Sequence, residues 1–351
     1  MLATALALSP SAQKRVPIFE PDRGWPAIPN NWVLGEVSSI AVDSQDRIWV
    51  LHRPRSVPAE QRANAAPPVL EFGQDGRLIA SWGGPAAGYE WPEREHGIYV
   101  DPKGFVWIGG NNGYGTPPPP GNSDDMLLKF TDAGKFTRQI GRSGQSKGNA
   151  DTANVRQAAD AFLYRNEIFV ADGYGNNRVV VFDADSGKFK RMWGAFGNTP
   201  QTPAAAPAGA ASASGPDGPP QFGLVHAIKV SSDGLVYVAD RANKRVQVFT
   251  ADGKYRQQVI IGMGTPAVQT AAGLAFSPDK DQQLLYVADL GNSQIVVLDR
   301  KTLRILGSFG MPGREPGQFG TLHHMAVDSH ENIYTAEIGR NRRIQRFVKR
   351  P

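Results

Sequence analysis

Residues 235–249 read LVYVADRANKRVQVF, and this stretch decides the fold. Two apolar runs, Leu235–Asp240 and Lys244–Phe249, flank a polar turn that contains Asn243. Similar pairs of runs lie at residues 167–182 and 285–298. Short apolar runs separated by turns predict antiparallel strands, and their recurrence along the chain predicts a repeat architecture.

The repeat extends outward from this stretch to six copies, each with room for four short strands between Gly-rich turns. Units of four strands are the blades of β-propellers. We therefore predict an all-β fold, a six-bladed propeller over residues 17–351. The last copy ends near Phe347 without a fourth strand, so we expect an N-terminal strand, around Ile28–Leu34, to complete it and close the ring.

The composition limits the class of protein. Hydrophobic residues make up 40% of the chain and charged residues 20%, as in globular proteins, and no apolar run approaches the length of a membrane span. The absence of cysteine excludes disulfides and thiolate metal sites. The net charge of +5 owes much to residues 340–350. We interpret this basic tail as a solvated final strand, with a patch for nucleic acid as the alternative.

The segments outside the repeat pattern are residues 1–16, two insertions between second and third strands at residues 53–68 and 111–125, and residues 198–220. Residues 1–16 include Leu2–Ala12, which is similar to the apolar and cleavage parts of a secretory signal but lacks its basic start. We expect a periplasmic or secreted protein. The alternative is that residues 1–16 are a disordered start and that the protein is cytoplasmic. Residues 198–220 are rich in Ala, Pro, Gly and Ser and predict a mobile insertion. We expect a monomer.

Three histidines share one register in alternate repeats: His96, His226 and His323. The other three repeats carry a small residue at the matching position, namely Ser38, Ala159 and Ala272. Equivalent positions on alternate blades of a six-membered ring lie a third of a turn apart, so the imidazoles should converge on the axis. Three neutral imidazoles with an open fourth position suit zinc, and other divalent metals are the alternative.

Further candidates follow the second strands, which end on the same mouth of the ring. Tyr174 beside a divalent cation would lose its proton more readily, which makes it a candidate base. Arg53 and Arg241 suit a substrate carboxylate. Ordinary rim positions are the alternative for these residues. We expect the adjacent His52 either to orient a ligand or to lie on the polar rim.

Two other sets of polar residues receive structural interpretations. Asp172, Asp240 and Asp289 recur after the second strands, so we interpret them as turn formers that accept local backbone N–H bonds. His324 should point away from His323 if the strand alternates regularly, which predicts a surface position.

On these residues the chain resembles the peptidyl-α-hydroxyglycine α-amidating lyase family, six-bladed propellers of NHL repeats with a three-histidine zinc site. The similarity spans about Val33 to Phe347. The matching segments are Leu51–Arg53, His96–Gly97, Asp172–Arg178, His226 with Val238–Arg241, and His323.

The resemblance implies an activity and a set of roles. Zinc would bind His96, His226 and His323, and Tyr174 would take a hydroxyl proton from a carbinolamide. Arg53 and Arg241 would hold the substrate carboxylate. Cleavage of the C–N bond would give an amide and glyoxylate.

The chain also departs from the family. In this family a structural calcium ion binds backbone carbonyls, which would here be those of Ile40 and Ile98, and an aspartate. This chain has His324 at the position of that aspartate. The resemblance therefore implies a calcium site that lacks its carboxylate ligand. We expect a lyase without an accompanying copper monooxygenase domain. The substrate would be a small molecule or peptide with a carboxylate, and no nucleic acid is expected. The alternatives are a metal-dependent propeller hydrolase of esters or lactones and a non-catalytic NHL binding module.

Overall fold

Six antiparallel sheets of four strands each surround a central channel in the computed structural model, which describes residues 16–114, 121–201 and 217–351. Blade one consists of β2 Glu36–Val42, β3 Ile48–Arg53, β4 Val69–Phe72 and β5 Leu78–Trp82. Blade two consists of β6 Glu95–Val100, β7 Val106–Gly110, β8 Met126–Phe130 and β9 Phe136–Gly141. Blade three consists of β10 Asp160–Tyr164, β11 Glu167–Asp172, β12 Arg178–Asp183 and β13 Phe189–Trp193.

Blade four consists of β14 Val225–Val230, β15 Leu235–Asp240, β16 Arg245–Thr250 and β17 Tyr255–Ile260. Blade five consists of β18 Ala271–Phe276, β19 Leu284–Asp289, β20 Gln294–Asp299 and β21 Ile305–Phe309. Blade six consists of β22 Thr321–Val327, β23 Ile333–Ile338, β24 Ile344–Lys349 and β1 Phe19–Pro21. Short 3₁₀ turns, at Pro54–Ser56, Ala59–Asn64, Ala195–Gly197 and Leu290–Asn292, complete the described secondary structure. The predicted all-β six-bladed propeller is confirmed.

The N-terminal strand that closes the ring differs from the one that we predicted. Phe19–Pro21 pairs antiparallel with β24, so blade six consists of three C-terminal strands and one N-terminal strand. Residues 28–34 form no strand of this sheet, and Ile28, Trp32 and Leu34 pack instead against the core between blades six and one. The prediction failed because both segments lie near the ring junction, and only the register with β24 distinguishes them.

The hydrophobic core lies between blades rather than within them. Six clusters of buried side chains occur among the described residues, one at each junction of neighbouring blades. A single sheet has two apolar faces, and each face is covered only by the next blade. Such packing makes every blade depend on both neighbours and fixes the first strands around the channel.

The first strands deviate from regular alternation near their beginnings. In four blades the pairing of the first and second strands skips one residue, namely Ser38, His226, Ala272 or His323. In blade two the register shifts between Glu95 and Ile98, the segment that contains His96. Such β-bulges re-aim side chains at the rims of sheets. The bulges therefore turn the predicted histidine register toward the channel.

Other sequence expectations fall partly beyond the described residues. Of the segment 1–16, residues 1–15 lie outside them. Residues 202–216 of the predicted insertion also lie outside, but its ends meet, because Asn198 donates a hydrogen bond to the carbonyl of Pro220 at 3.1 Å. None of the helices described reaches the length and apolarity of a bilayer span.

Basic residues of the last strand have acidic partners. Arg343 pairs with Glu337, Arg346 with Asp22, and Lys349 with Glu331. The tail forms a final strand, as predicted, but these three residues lie in ion pairs rather than being only solvated.

Candidate metal centre

His96, His226 and His323 meet on the channel axis. Their ring centroids lie 4.7–5.0 Å apart, and each side chain is at most 1% exposed. One potential ligand nitrogen from each histidine lies within 4.8 Å of the others, and the Nε2 atoms of His226 and His323 are 3.2 Å apart. A tetrahedral zinc ion with Zn–N bonds of about 2.05 Å separates its ligand nitrogens by about 3.3 Å. The spacing therefore suits a single ion.

The other nitrogen of each ring binds the backbone of the next blade. Nδ1 of His96 lies 2.8 Å from the carbonyl oxygen of Ala159, and Nδ1 of His226 lies 2.7 Å from that of Ala272. Nδ1 of His323 lies 2.7 Å from the carbonyl oxygen of Ser38. These carbonyls belong to the small residues at the matching register. Blades two, four and six thus provide imidazoles, and blades one, three and five orient them.

These hydrogen bonds fix the tautomer. A carbonyl only accepts, so each Nδ1 must carry its hydrogen, and each Nε2 of a neutral ring then presents a lone pair to the axis. Burial lowers the pKa of all three histidines well below the usual value, and the positive charges of nearby arginines add to this effect. Three converging lone pairs, with carbonyls holding the rings from behind, are the donor set of a metal site. The residues present therefore fit zinc.

Tyr174 covers the centre from the mouth. Its hydroxyl oxygen lies 2.8 Å from Nε2 of His96 and 3.0 Å from Nε2 of His226. Arg241 donates to the same oxygen at 3.1 Å, and its guanidinium lies 5.4 Å from the centre of the phenol ring. One phenol hydrogen cannot satisfy two acceptor nitrogens. Burial raises the pKa of Tyr174, and the charges of Arg241 and Arg53 oppose that rise.

Arg241 is a buried cation without a carboxylate partner among the residues described. It is 5% exposed, and its Nε atom has no hydrogen-bond partner. A buried charge is costly unless it is paired. The position of Arg241 therefore favours an anion bound beside Tyr174.

Arg53 lies on the opposite side of the mouth and is anchored more firmly. Its Nη1 pairs with Glu36 at 2.7 Å, and its Nε donates to the carbonyl oxygen of Glu95 at 2.8 Å. Burial opposes ionisation of Glu36, but Arg53 outweighs it and lowers the pKa of that carboxyl. The Glu95 side chain accepts from Trp91, and burial raises its pKa to about 7. Arg53 therefore has a carboxylate partner at this mouth, whereas Arg241 has none among the described residues.

Sequence reasoning missed three residues here: Glu36, Arg94 and Tyr114. Arg94 lies two residues before His96, where the other histidine blades have Leu224 and Thr321. Among the three histidine blades only blade two has a charged residue at this position, and this was the available signal. The ring of Tyr114 packs edge-on against that of Tyr174, with 4.6 Å between centroids. The repeat pattern gave no signal for Tyr114, because it lies in an insertion.

Two further histidines are not where we predicted them. His52 is fully buried rather than on the rim, because its Nδ1 accepts from the backbone of Gly35 and its Nε2 binds the carbonyl of Pro67. His324 is 1% exposed rather than on the surface. The bulge at His323 breaks the alternation from which its outward direction was inferred.

The suggested calcium position lies at the opposite end of the channel. Ile40 and Ile98 line a cavity of about 330 Å³ there. The ammonium of Lys229 pairs with Asp160 at 2.8 Å, and Nε2 of His324 lies 3.8 Å from the same carboxylate. Calcium takes six to eight oxygen ligands. A carboxylate already neutralised by an ammonium, next to an imidazole, does not suit it.

The fold and the site together define a class: a six-bladed β-propeller with three buried imidazoles beneath a positively charged mouth. Comparisons with known proteins agree with the fold. The NHL repeat family matches residues 222–249, within blade four. A streptogramin B lyase structure superposes with a TM-score of 0.53 at 14% identity, covering 95% of this chain and 98% of that one.

Two curated relatives extend the similarity along the chain. NHL repeat-containing protein 3 of Mus musculus is 26% identical over 348 residues, covering 95% of this chain and 84% of the relative. Peptidyl-alpha-hydroxyglycine alpha-amidating lyase 1 of Drosophila melanogaster is 27% identical over 358 residues, covering 93% of this chain. The match spans 59% of the length of that lyase. The fold is therefore a six-bladed propeller in which one blade matches the NHL repeat, and the chain is weakly similar to NHL repeat-containing protein 3 and to an amidating lyase.

Proposed function

We propose that this protein is a zinc-dependent lyase that cleaves the C–N bond of a peptidyl-α-hydroxyglycine, or of a similar small carbinolamide, to an amide and glyoxylate. One observation carries the proposal: three Nε2 lone pairs converge beneath a tyrosine hydroxyl that an unpaired buried arginine contacts. The similarity to the Drosophila melanogaster lyase supports the same reaction class.

His96, His226 and His323 would hold the zinc ion through Nε2. When bound, zinc supplies a Lewis acid that polarises oxygen and favours loss of a hydroxyl proton. The carbonyls of Ala159, Ala272 and Ser38 keep the rings in position from behind.

Tyr174 is the proposed proton carrier. As the phenolate, which Arg241, Arg53 and a bound metal ion would favour, its oxygen takes the proton of the substrate hydroxyl, whose oxygen becomes the aldehyde oxygen of glyoxylate. The electron pair of the C–N bond moves to nitrogen, which takes up a proton and leaves as the amide. No water is consumed, and the proton lost at oxygen balances the proton gained at nitrogen.

Arg53 and Arg241 are the proposed carboxylate ligands. Both guanidiniums are almost fully buried, so an ion pair with the substrate would be little screened by water. Their fixed positions would orient the hydroxyl-bearing carbon next to the oxygen of Tyr174.

The experiment measures metal content and glyoxylate release on one preparation made without a histidine tag. We expect about one zinc per chain, and glyoxylate from a peptidyl-α-hydroxyglycine. His226→Ala should lose both the metal and the activity, whereas His330→Gln, at an exposed position, should retain both. Full glyoxylate release by His226→Ala would reject the proposal, as would a zinc-loaded protein that hydrolyses esters but releases no glyoxylate.

A further inference from the structure

Arg94 is a charged residue at the mouth that the reaction described above does not use. It directly precedes β6, the strand that carries His96. Its backbone is clamped on both sides, because its N–H donates to the Asp124 carboxylate at 3.1 Å and its carbonyl accepts from Asn111 at 2.9 Å. The clamp holds the side chain beside Arg53, whose Nε binds the next carbonyl along the chain.

The guanidinium of Arg94 makes no hydrogen bond or ion pair with any described residue. Its neighbours differ: Arg53 pairs with Glu36, and Arg55 pairs with Glu93. Burial lowers the pKa of Arg94 and the positive charge of Arg53 adds to this effect, whereas the carboxylate of Glu36, which pairs with Arg53, opposes it. An arginine stays charged in proteins. Arg94 is therefore a partly desolvated cation that forms no direct ion pair in the part of the chain that the structure describes.

Two of the three arginines at the mouth lack an ion-pair partner among the described residues. Arg53 pairs with Glu36, whereas Arg94 and Arg241 form no such pair. A bound zinc ion would add further positive charge. A carboxylate held by Arg53 and Arg241 leaves Arg94 unmatched.

Exposure orders these groups from the centre outward. Arg53 and Arg241 are 3% and 5% exposed, Arg94 is partly exposed, and Tyr114 is 38% exposed. A substrate whose carboxylate is held by the deep arginines must extend its acyl portion toward solvent. Arg94, which is partly exposed, lies between the two buried arginines and the solvent and therefore beside this acyl portion.

We propose that Arg94 recognises an acidic group on the acyl portion of the substrate, so that the enzyme prefers substrates with two carboxylates over substrates with one. This inference rests on the proposed lyase function, because it takes the orientation of the substrate from that reaction. An ion pair at a partly desolvated guanidinium should give a preference of about tenfold.

The test compares N-acetyl-glutamyl-α-hydroxyglycine with its glutaminyl counterpart, which differs in charge but not in size. Glyoxylate release gives kcat/KM for the parent and for Arg94→Gln and Arg55→Gln. The last variant is the matched control, because Arg55 lies on the same rim but has its own carboxylate partner. Thermal unfolding and zinc content verify that each variant is folded and loaded.

We expect the parent to favour the glutamyl substrate about tenfold. Arg94→Gln should lose this preference while keeping kcat/KM for the glutaminyl substrate within about threefold, and Arg55→Gln should behave as the parent. An equal loss on both substrates in Arg94→Gln, or no preference in the parent, would overturn the inference.

A binding measurement separates this inference from the lyase proposal. Calorimetry with N-acetyl-glutamyl-glycine and N-acetyl-glutaminyl-glycine, which lack the hydroxyl and do not react, reports recognition alone. Tighter glutamyl binding by the parent than by Arg94→Gln, without glyoxylate release from either substrate, would reject the lyase reaction and support the role of Arg94. Glyoxylate release without any glutamyl preference would reject only the role of Arg94.

Discussion

At the scale of single residues, the site depends on which groups can donate a hydrogen and which can only accept. The carbonyls behind the three imidazoles force their Nε2 lone pairs onto the axis. The Tyr174 hydroxyl is the one described protein donor within hydrogen-bond distance of two of these nitrogens. Tyr174 is therefore the residue whose polar atom is best placed to exchange a proton with a substrate.

Tyr174→Phe should lower kcat by a factor of about 10² to 10⁴, the usual range for loss of a proton-transfer group. Zinc content should stay near that of the parent, because no histidine is changed. Glyoxylate release and elemental analysis measure the two effects. Tyr255→Phe, on the outer strand of blade four, is the matched control. Parent-like kcat in Tyr174→Phe would contradict the assigned role.

His52 provides a second test at this scale, through the pH dependence of stability. Burial lowers its pKa from 6.5 to about 4. The unfolded chain therefore takes up a proton at a higher pH than the folded protein does. The contribution of the neutral His52 imidazole to the free energy of unfolding is therefore complete above pH 6.5. It is lost as the pH falls toward 4, and the loss is roughly 3 kcal/mol.

His52→Gln should flatten the fall in unfolding free energy between pH 6.5 and 4. Denaturant unfolding across that window measures the effect, and His330→Gln, at an exposed position, is the control. The same slope in the parent and in His52→Gln would show that the buried imidazole is not the titrating group.

At the scale of elements, the bulges on the first strands decide where the histidines point. Each bulge places one additional residue between paired positions and turns its side chain into the channel. The turn-forming aspartates lie at the same end of the sheets, since Asp240 pairs with Val225 next to the bulge at His226. Asp172 accepts from the backbone of Arg156 and pairs with Arg178, and Asp240 makes equivalent contacts with Gly223 and Arg245. The interpretation of these aspartates as structural is thus consistent with their contacts.

Gly97 shows how tightly the bulge beside His96 is packed. A Cβ atom at this position would lie 2.3 Å from the carbonyl oxygen of Ala159, the group that orients His96. Gly97→Ala should therefore cost about 1–3 kcal/mol of stability. It should also weaken zinc binding by about 10- to 100-fold, because the orienting carbonyl must move.

Denaturant unfolding and zinc competition measure these two effects. Gly24→Ala is the control, since the nearest atom to a Cβ there is 3.6 Å away. Parent-like zinc affinity in Gly97→Ala would show that the Ala159 carbonyl does not govern the ligand.

At the scale of the whole molecule, the ring depends on a junction between the two ends of the chain. Phe19 in β1 stacks on Phe309 at 5.0 Å and meets the edge of Tyr286 at 5.9 Å. Asp22 and Arg346 pair across the same junction. The junction covers an edge of β24 that would otherwise be open to other chains.

Phe19→Ala should lower the unfolding free energy by about 2 kcal/mol, because it removes a partly buried ring from the junction of blades five and six. Chemical denaturation measures the change. The adjacent Ile18, which is 68% exposed, serves as the control when replaced by alanine. Equal stability of the two variants would show that β1 does not hold the ring closed.

The sequence by itself determined the number of blades, the alternation of histidine and small residues, and the grouping of Tyr174, Arg53 and Arg241 at one mouth. These features follow from local periodicity and from the geometry of a closed ring. Tertiary structure decided the rest: which N-terminal segment closes the ring, the burial of His52 and His324, and the approach of Arg94 to the site. Each of these depends on a bulge or on a contact between residues that are distant in the sequence, and a pattern with a period of two residues contains no information about either.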